Sequence, residues 1–292
     1  MRLRAALAEG ALVLDGGLAT ELEGQGHDLS DALWSARLLR DNPDAIVAAH
    51  RAFCDAGADV AITASYQASV EGFARVGVER AAALELMARS VGLARNAGAR
   101  IVAGSVGPFG AAQADGSEYT GDYGDIAPAA LVEFHTPRLD ALRSAGADCF
   151  AFETIPRLDE AGALIGLLQP GDEAWLSLQC RDAGHLASGE RIEAIADVIR
   201  GADALIAVGV NCTAPEHALE LLTRLRSICA LPLVCYPNSG RTWDAVGRRW
   251  LDAGVDGFPA ELVASWRSAG AELVGGCCGV SPAGIAGVLH AE

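Results

Sequence analysis

The sequence predicts a single (β/α)8 barrel domain over residues 1–292, and three observations support this prediction. Eight short apolar runs of strand length lie along the chain, and segments of helical length separate them. Several of the runs follow a glycine that ends a helix, which is typical of the turns in repeated βα units. Eight such units in 292 residues fit a closed barrel better than an open doubly wound sheet. The runs centre near residues 12, 60, 102, 150, 176, 207, 234 and 274.

The first half of the chain shows the alternation clearly. Residues 11–14 form a β-like run that ends at the turn sequence Asp15-Gly16-Gly17. Asn42 then predicts a helix N-cap, with Pro43 at the first helical position. The apolar residues that follow recur at helical spacing, and residues 58–63 predict the second strand. The third and fourth strands are predicted over 101–105 and 149–153.

The second half continues the pattern with different turns. Strands are predicted over residues 175–180, 205–212, 233–236 and 271–274. Residues 252–257 imitate the repeat, but another helix follows too closely, so we predict a loop or a short extra turn there. The absence of a linker or low-complexity stretch favours one domain.

Composition excludes several classes of protein. The formal charge of −16 argues against nucleic-acid or anionic-membrane partners, and it fits either a cationic small ligand or plain solubility. The apolar stretches are too short to span a bilayer, and no signal peptide is indicated, so we expect a cytoplasmic protein. All 22 basic residues are arginine, which excludes a lysine Schiff base.

Three of the eight cysteines lie where strands end, and they predict a metal site. Cys212 ends one apolar run, and Cys277 and Cys278 follow another run and two glycines. If these strands are neighbours, three thiolates converge and leave a fourth position open, as in catalytic zinc sites. The alternatives are three buried free thiols or a vicinal redox pair. The other cysteines have apolar surroundings, which favours simple burial over a disulfide framework.

These motifs resemble those of a known family over essentially the whole chain. Gly275-Gly276-Cys277-Cys278, Gly209-Val210-Asn211-Cys212 and Asp15-Gly16-Gly17 are similar to motifs of the zinc-dependent homocysteine S-methyltransferases. Many relatives carry arginine where this chain has Gly279, and we expect little effect on the metal from this difference. Further segments resemble the branch that uses S-methylmethionine, and these are residues 31–35, 62–68, 103–108, 115–119 and 236–240.

The resemblance implies an enzyme that transfers a methyl group from S-methylmethionine to homocysteine and forms methionine. Cys212, Cys277 and Cys278 would hold Zn²⁺, with the homocysteine sulfur as fourth ligand, so that a thiolate attacks the methyl group of a sulfonium cation. The substrate contacts implied are of three kinds. They are carboxylates for the homocysteine ammonium (Asp15, Glu153), backbone N–H groups for its carboxylate (Gly16, Gly17, Thr63) and further contacts (Ser105, Tyr66, Tyr236, Asn238).

Several alternatives stay open at this point. The same acceptor and metal would serve S-adenosylmethionine or betaine as methyl donor. A vicinal-thiol redox or metal-storage protein, or a non-catalytic barrel, would use the cysteines differently. Residues 107–126 contain five glycines and two tyrosines, so we predict a loop that covers the site. The rings of the four tyrosines, at 66, 119, 123 and 236, would attract a cationic donor. The sequence indicates no oligomeric state.

Overall fold

The computed structural model describes residues 2–29, 34–240, 243–244, 249–250 and 254–289, and it contains the predicted barrel. Eight parallel strands form one sheet in the order β1-β10-β7-β6-β5-β4-β3-β2. A parallel bridge between Leu14 and Val60 joins β1 to β2 and closes the ring. Within the described residues the strands, in chain order, are β1 Leu12–Val13, β2 Val60–Ile62, β3 Ile101–Val106, β4 Cys149–Ile155, β5 Ala174–Leu178, β6 Leu205–Asn211, β7 Leu233–Tyr236, β8 Trp243–Asp244, β9 Arg249–Trp250 and β10 Ala271–Val274.

Helices surround the ring, as burial of both faces of a parallel sheet requires. Short 3-10 helices lie at Trp34–Arg37, Ser117–Tyr119 and Ile192–Ala194. The α-helices are α1 Leu3–Leu7, α2 Leu18–Gly24, α3 Leu38–Asp41, α4 Pro43–Asp55, α5 Val70–Arg75, α6 Arg80–Asn96, α7 Phe109–Gln113, α8 Pro128–Ser144, α9 Leu158–Gly166, α10 Ile195–Ile199, α11 Pro215–Ile228, α12 Ala260–Ser268 and α13 Pro282–Leu289.

The eight barrel strands coincide with the eight apolar runs of the sequence. The predicted cap of α4 is confirmed, because the Asn42 side chain accepts a hydrogen bond from the Ala45 N–H and Pro43 is the first helical residue. The strands β3 to β7 are buried along their whole length, which explains why they appear as continuous apolar runs. The antiparallel hairpin of β8 and β9 was not predicted.

Helix α1 closes the amino end of the barrel. Its apolar residues Leu3, Ala6 and Leu7 are buried against the interior layer that contains Leu12 and Trp175. This arrangement leaves the carboxyl end of the barrel for function.

Two sequence predictions fall partly outside the described residues. The motif at residues 31–35 is described only in part, and of the segment at 252–257 only residues 254–257 are described, as loop. Among the described residues no helix has the length and apolar character needed to cross a membrane.

Candidate active site

Three thiols meet at the carboxyl ends of β6 and β10. The sulfur atoms of Cys212, Cys277 and Cys278 all lie within 4.8 Å of one another, and Cys212 Sγ is 3.6 Å from Cys278 Sγ. Across the described parts of the chain, no other group of three histidine, cysteine or acidic side chains converges in this way. The fold therefore brings together the cysteines that the sequence singled out.

The backbone after β10 and the backbone after β6 place the cysteine sulfurs in different ways. After β10, Gly275 and Gly276 permit close packing, since a Cβ at Gly275 would lie 2.7 Å from the Asp15 carbonyl and one at Gly276 would lie 2.5 Å from Val280 Cβ. After β6, Cys212 itself takes the left-handed conformation with φ of 50°. A non-glycine residue in this conformation costs free energy, so neighbouring contacts must hold it in place.

The side chain of Asn211 supplies such contacts. Its Oδ1 accepts a hydrogen bond from the Thr154 N–H at 2.6 Å, and its Nδ2 donates to Thr154 Oγ1 at 2.8 Å. Thr154 also has a left-handed backbone, with φ of 59°. The same Nδ2 lies 3.9 Å from Cys277 Sγ. Asn211 is fully buried and thus joins the ends of β4 and β6.

The electrostatics of the cluster fit a cation. Hydrogen bonds from Cys277 and Cys278 lower the pKa of the Cys212 thiol. The pKa values of the Cys277 and Cys278 thiols are raised, first of all by their contacts with Cys212. One negative charge therefore forms readily in the cluster, and full ionisation requires a positive ion. Three soft sulfur donors with this spacing match the ligands that zinc prefers.

Glu153 at the end of β4 is fixed on both of its oxygens. The Ser105 hydroxyl donates to Oε1, and the Tyr236 hydroxyl donates to Oε2 at 3.2 Å. The Tyr236 hydroxyl is itself held by Ser177 at 2.6 Å and by the Trp175 indole N–H at 3.0 Å. Burial raises the pKa of Glu153 to about 7, although the two hydroxyl donors favour the ionised form.

Asp15 at the end of β1 is held on one side only. Its Oδ2 accepts the Ile62 N–H at 2.8 Å, while within the described chain the buried Oδ1 has no hydrogen-bond partner. His50 Nδ1 lies 4.0 Å from Oδ2, and burial lowers the pKa of this histidine to about 4, so the ring is neutral near pH 7. Burial also raises the pKa of Asp15 well above its usual value. A bound cation would supply the missing partner of Asp15 Oδ1.

A cleft with about 800 Å³ of space, counted to its open mouth, lies over these groups. No arginine or histidine occurs among the described residues that line the cleft, so its charged groups are acidic. The lining residues are Gly16, Gly17, Leu18, Ala19, Thr20, Glu23, Ile62, Thr63, Ala64, Tyr66, Tyr119, Glu153, Thr154, Cys212, Tyr236, Gly276, Cys277 and Cys278.

Three of the predicted substrate contacts are not among the residues that line the cleft. Asp15 is 1% exposed, Ser105 is fully buried beneath Glu153, and Asn238 donates to the Cys212 carbonyl at 3.0 Å. The remaining predicted site residues line the cleft.

The amides of Gly17 and Thr63, which we predicted to receive a carboxylate, have backbone partners in the structure. The Gly17 N–H already donates to Val280 O at 2.9 Å, and the Thr63 N–H donates to Ala103 O at 3.0 Å. The register between neighbouring strands determines these partners, and the sequence did not reveal them.

The segment over residues 107–126 is more ordered in structure than predicted. It contains α7 and the 3-10 helix Ser117–Tyr119, which places the Tyr119 hydroxyl 3.7 Å from Cys212 Sγ. Tyr123 does not line the cleft, because its hydroxyl donates to Glu160 Oε2 at 2.8 Å. Tyr66 and Tyr119 line the cleft together with Tyr236, and we call the part formed by Tyr66 and Tyr119 the roof.

A buried arginine fastens the turns that carry the roof. Arg138 on α8 donates to the carbonyl oxygens of Tyr66 at 2.8 Å, Ala68 at 3.3 Å and Gly107, and it lies 3.0 Å from His135 Nδ1. Burial lowers the pKa of Arg138 to about 10, so its guanidinium stays positive near pH 7. This one side chain therefore joins the turns after β2 and β3.

Sequence reasoning did not assign roles to several lining residues. Thr20 and Glu23 on α2 reach the cleft, and the only sequence signal was their position directly after the Asp15-Gly16-Gly17 turn. Thr154 also lines it, and its proximity to Glu153 was the available signal.

Comparison with known proteins gives consistent matches over almost the full length. A family model described as homocysteine S-methyltransferase matches residues 12–291. Homocysteine S-methyltransferase of Escherichia coli is 45% identical over 289 residues, covering 94% of this chain and 93% of that protein. Homocysteine S-methyltransferase 4 of Zea mays is 44% identical, with 97% and 90% covered. The metallated form of the homocysteine methyltransferase MmuM from Escherichia coli superposes with a TM-score of 0.87 at 42% identity, with 98% of each chain covered.

Proposed function

The chain belongs to the homocysteine S-methyltransferase family, and we propose that it transfers the methyl group of S-methylmethionine to homocysteine at a zinc site formed by Cys212, Cys277 and Cys278. The product is methionine. The observation that carries the proposal is the convergence of three thiols in an acidic cleft at the carboxyl end of the barrel. We further propose one catalytic domain over residues 1–292 and a cytoplasmic location.

The three cysteines would hold the metal through their sulfur atoms, which the fold already places together. A bound zinc ion would lower the pKa of the acceptor thiol, ordinarily about 8.5, and so supply a thiolate at neutral pH. Neither a lysine nor a cleft-lining histidine is needed as general base, because no proton leaves the methyl group in this reaction.

The carboxylates bind the ammonium group of homocysteine in this proposal. Glu153 reaches the cleft with its geometry fixed by Ser105 and Tyr236, and Asp15 supplies a second carboxyl group behind it. An ammonium ion would satisfy the unpartnered Asp15 Oδ1 either directly or through water. Of the predicted amide donors, Gly16 remains our candidate for the homocysteine carboxylate, since the Gly17 and Thr63 amides are engaged.

The rest of the cleft favours a cationic donor. The rings of Tyr66 and Tyr119 line it, and each aromatic face attracts a sulfonium cation by about 0.5–2 kcal/mol. Attack of a thiolate on a sulfonium methyl group removes two opposite charges as the bond forms. A site that excludes water promotes this step, because neither charge is stabilised by solvation.

The first test combines metal content with product formation. We expect the wild type to bind one zinc ion per chain and to form methionine, and we expect Cys277→Ala to lose both. Cys229→Ala is the matched control and should keep both properties, since this partly exposed cysteine follows the last residue of α11, whereas Cys212 precedes the first. Full turnover by zinc-free Cys277→Ala would overturn the proposal.

The second test concerns the donor. Purified protein is assayed with homocysteine and with S-methylmethionine, S-adenosylmethionine or betaine in turn, and kcat/KM is compared. We expect S-methylmethionine to give the highest value. A higher value for either rival donor would replace the donor in the proposal while leaving the acceptor and the metal site in place.

A further inference from the structure

We infer that Asn211 is a positioning residue that couples the zinc-binding sulfurs to the strand end that carries the ammonium-binding Glu153. The inference rests on the proposed zinc site and goes beyond it, because Asn211 neither lines the cleft nor supplies a metal ligand. Its side chain contacts the residue after Glu153 on one side and Cys277 on the other, and its backbone leads into Cys212.

The first observation is the distance that this side chain bridges. Strand β5 lies between β4 and β6 in the sheet, so no backbone ladder joins the ends of β4 and β6 directly. Asn211 crosses the gap with two hydrogen bonds to Thr154, at 2.6 Å to its N–H and 2.8 Å to its hydroxyl. The end of β4 is therefore positioned by the end of β6.

The second observation is that both strand ends are strained. Thr154 and Cys212 have φ values of 59° and 50°, and neither is glycine. Threonine is branched at Cβ, which makes the left-handed conformation especially unfavourable for it. Such conformations persist only where surrounding contacts hold them. The side-chain amide of Asn211 makes these contacts with Thr154, and Asn211 is also the residue directly before Cys212.

The third observation is the second hydrogen of the Asn211 amide. Nδ2 donates one hydrogen to Thr154 Oγ1 and lies 3.9 Å from Cys277 Sγ, in reach of a weak N–H···S contact. Because Asn211 is fully buried, no water competes for this donor. A donor at this place favours the charged form of the sulfur and fixes the direction in which it points.

The substitution Asn211→Asp separates these functions. Aspartate retains an oxygen that accepts the Thr154 N–H, so the irregular end of β4 keeps its main support. It replaces the Nδ2 donor by a second oxygen that faces Cys277 Sγ, which repels a thiolate. Partners of metal ligands change metal affinity by about 10–100-fold when they are substituted. We therefore expect zinc binding to weaken by at least about tenfold.

The experiment measures zinc affinity of the full chain by competition with a chromophoric chelator, and the absorption of the cobalt(II)-loaded protein. Asn211→Asp should weaken zinc binding by at least about tenfold, alter the thiolate-to-cobalt band and raise the KM for homocysteine. Asn96→Asp makes the same chemical change at an exposed site at the end of α6 and should match the wild type. Leu221→Ala, in the core, lowers stability without touching the site and should keep wild-type zinc affinity.

A second pair of variants changes Thr154 on β4, which is the hydrogen-bond partner of Asn211. Thr154→Val removes the hydroxyl that accepts from Nδ2 and keeps the side-chain shape, so zinc affinity should fall severalfold. Thr154→Ser keeps the hydroxyl and should retain zinc affinity within about twofold, which tests rescue by the conservative change.

Two outcomes would overturn the inference. One is zinc affinity within twofold of wild type in both Asn211→Asp and Thr154→Val. The other is a loss of affinity in Leu221→Ala as large as in Asn211→Asp, which would reduce the role of Asn211 to general stability. A wild type that fails to bind zinc would instead refute the proposed function itself.

Discussion

The cleft has two walls of buried ionisable groups, and they are built in opposite ways. The thiol wall consists of Cys212, Cys277 and Cys278, whose sulfurs have mainly one another as neighbours. The carboxylate wall consists of Glu153 with Asp15 buried behind it, and the two are anchored by backbone N–H and hydroxyl donors. A fixed carboxylate can select a ligand by geometry, whereas a cluster of thiols needs a cation before it can carry its charge.

The difference predicts a division of labour that can be tested. Changes in the thiol wall should remove the metal and abolish turnover. Changes in the carboxylate wall should leave the metal bound and weaken only the capture of homocysteine.

The largest expected effect within the carboxylate wall comes from Glu153→Gln. Removal of the charge opposite the ammonium should lower kcat/KM for homocysteine by about 30-fold or more, since losing one partner of a buried charge pair costs about 2–5 kcal/mol. Zinc stoichiometry should not change. Glu173→Gln, a buried glutamate beside α1 at the opposite end of the barrel, is the control. Loss of zinc from Glu153→Gln would show that the two walls do not act separately.

The pH dependence should follow the same carboxylate. Because burial raises the pKa of Glu153 to about 7, the ionised form needed for binding is lost as pH falls through 7. We expect kcat/KM for homocysteine to fall about tenfold per pH unit below that value and the Glu153→Gln variant to lack this dependence.

Stability should respond to pH with the opposite sign. A carboxyl group with a higher pKa in the folded state binds protons more tightly when folded. Its contribution to stability is therefore complete below the unfolded-state pKa and is lost as pH rises through about 7. Denaturant titrations of wild type and Glu153→Gln at pH 5 and 8 measure this contribution. A wild type that gains stability over this range relative to the variant would contradict the assignment.

A smaller effect is expected from Tyr236→Phe. This change removes the hydroxyl that donates to Glu153 and is held by Ser177 and Trp175. Loss of one such hydrogen bond, about 1 kcal/mol, should lower kcat/KM for homocysteine about fivefold. Because this donor favours the ionised Glu153, the midpoint of the pH profile should also move above 7. An unchanged midpoint would mean that the tyrosine acts through its ring alone.

The smallest effect should come from Gly279→Arg, next to the thiol wall. Gly279 has φ of 82°, so a side chain there strains the backbone by about 1–2 kcal/mol. We expect Tm to fall by roughly 2–4 °C per kcal/mol, with zinc content and KM values within twofold of wild type. Calorimetry and metal analysis measure both quantities. A loss of zinc would show that the turn after Cys278 is part of the metal site.

The fold and the thiol wall could be predicted from the sequence for physical reasons. Each barrel strand is buried on both faces and therefore forms an apolar run with a turn signal before it. Since parallel strands in a barrel end on the same side, residues that follow them, such as Cys212 and Cys277, must lie near one another.

The supporting contacts could not be predicted in this way. The bond between Asn211 and Thr154 joins residues 57 positions apart, and it depends on a left-handed backbone that threonine disfavours. The hydroxyl of Tyr236 bonds to Glu153, although the sequence suggested only its ring as a contact for a cation. These two hydrogen bonds depend on the direction of the side chains and on the register of the strands. Neither can be read from local composition.

The hydrogen bonds of Arg138 affect how substrates enter the cleft and how products leave it. The buried guanidinium donates to the carbonyl oxygens of Tyr66 and Gly107. The roof over the three cysteine sulfurs is therefore held rigidly to the barrel. We therefore expect substrates and methionine to pass along α2, whose residues Thr20 and Glu23 line the cleft. Bulkier side chains on α2 should lower the rate of product release more than the rate of methyl transfer.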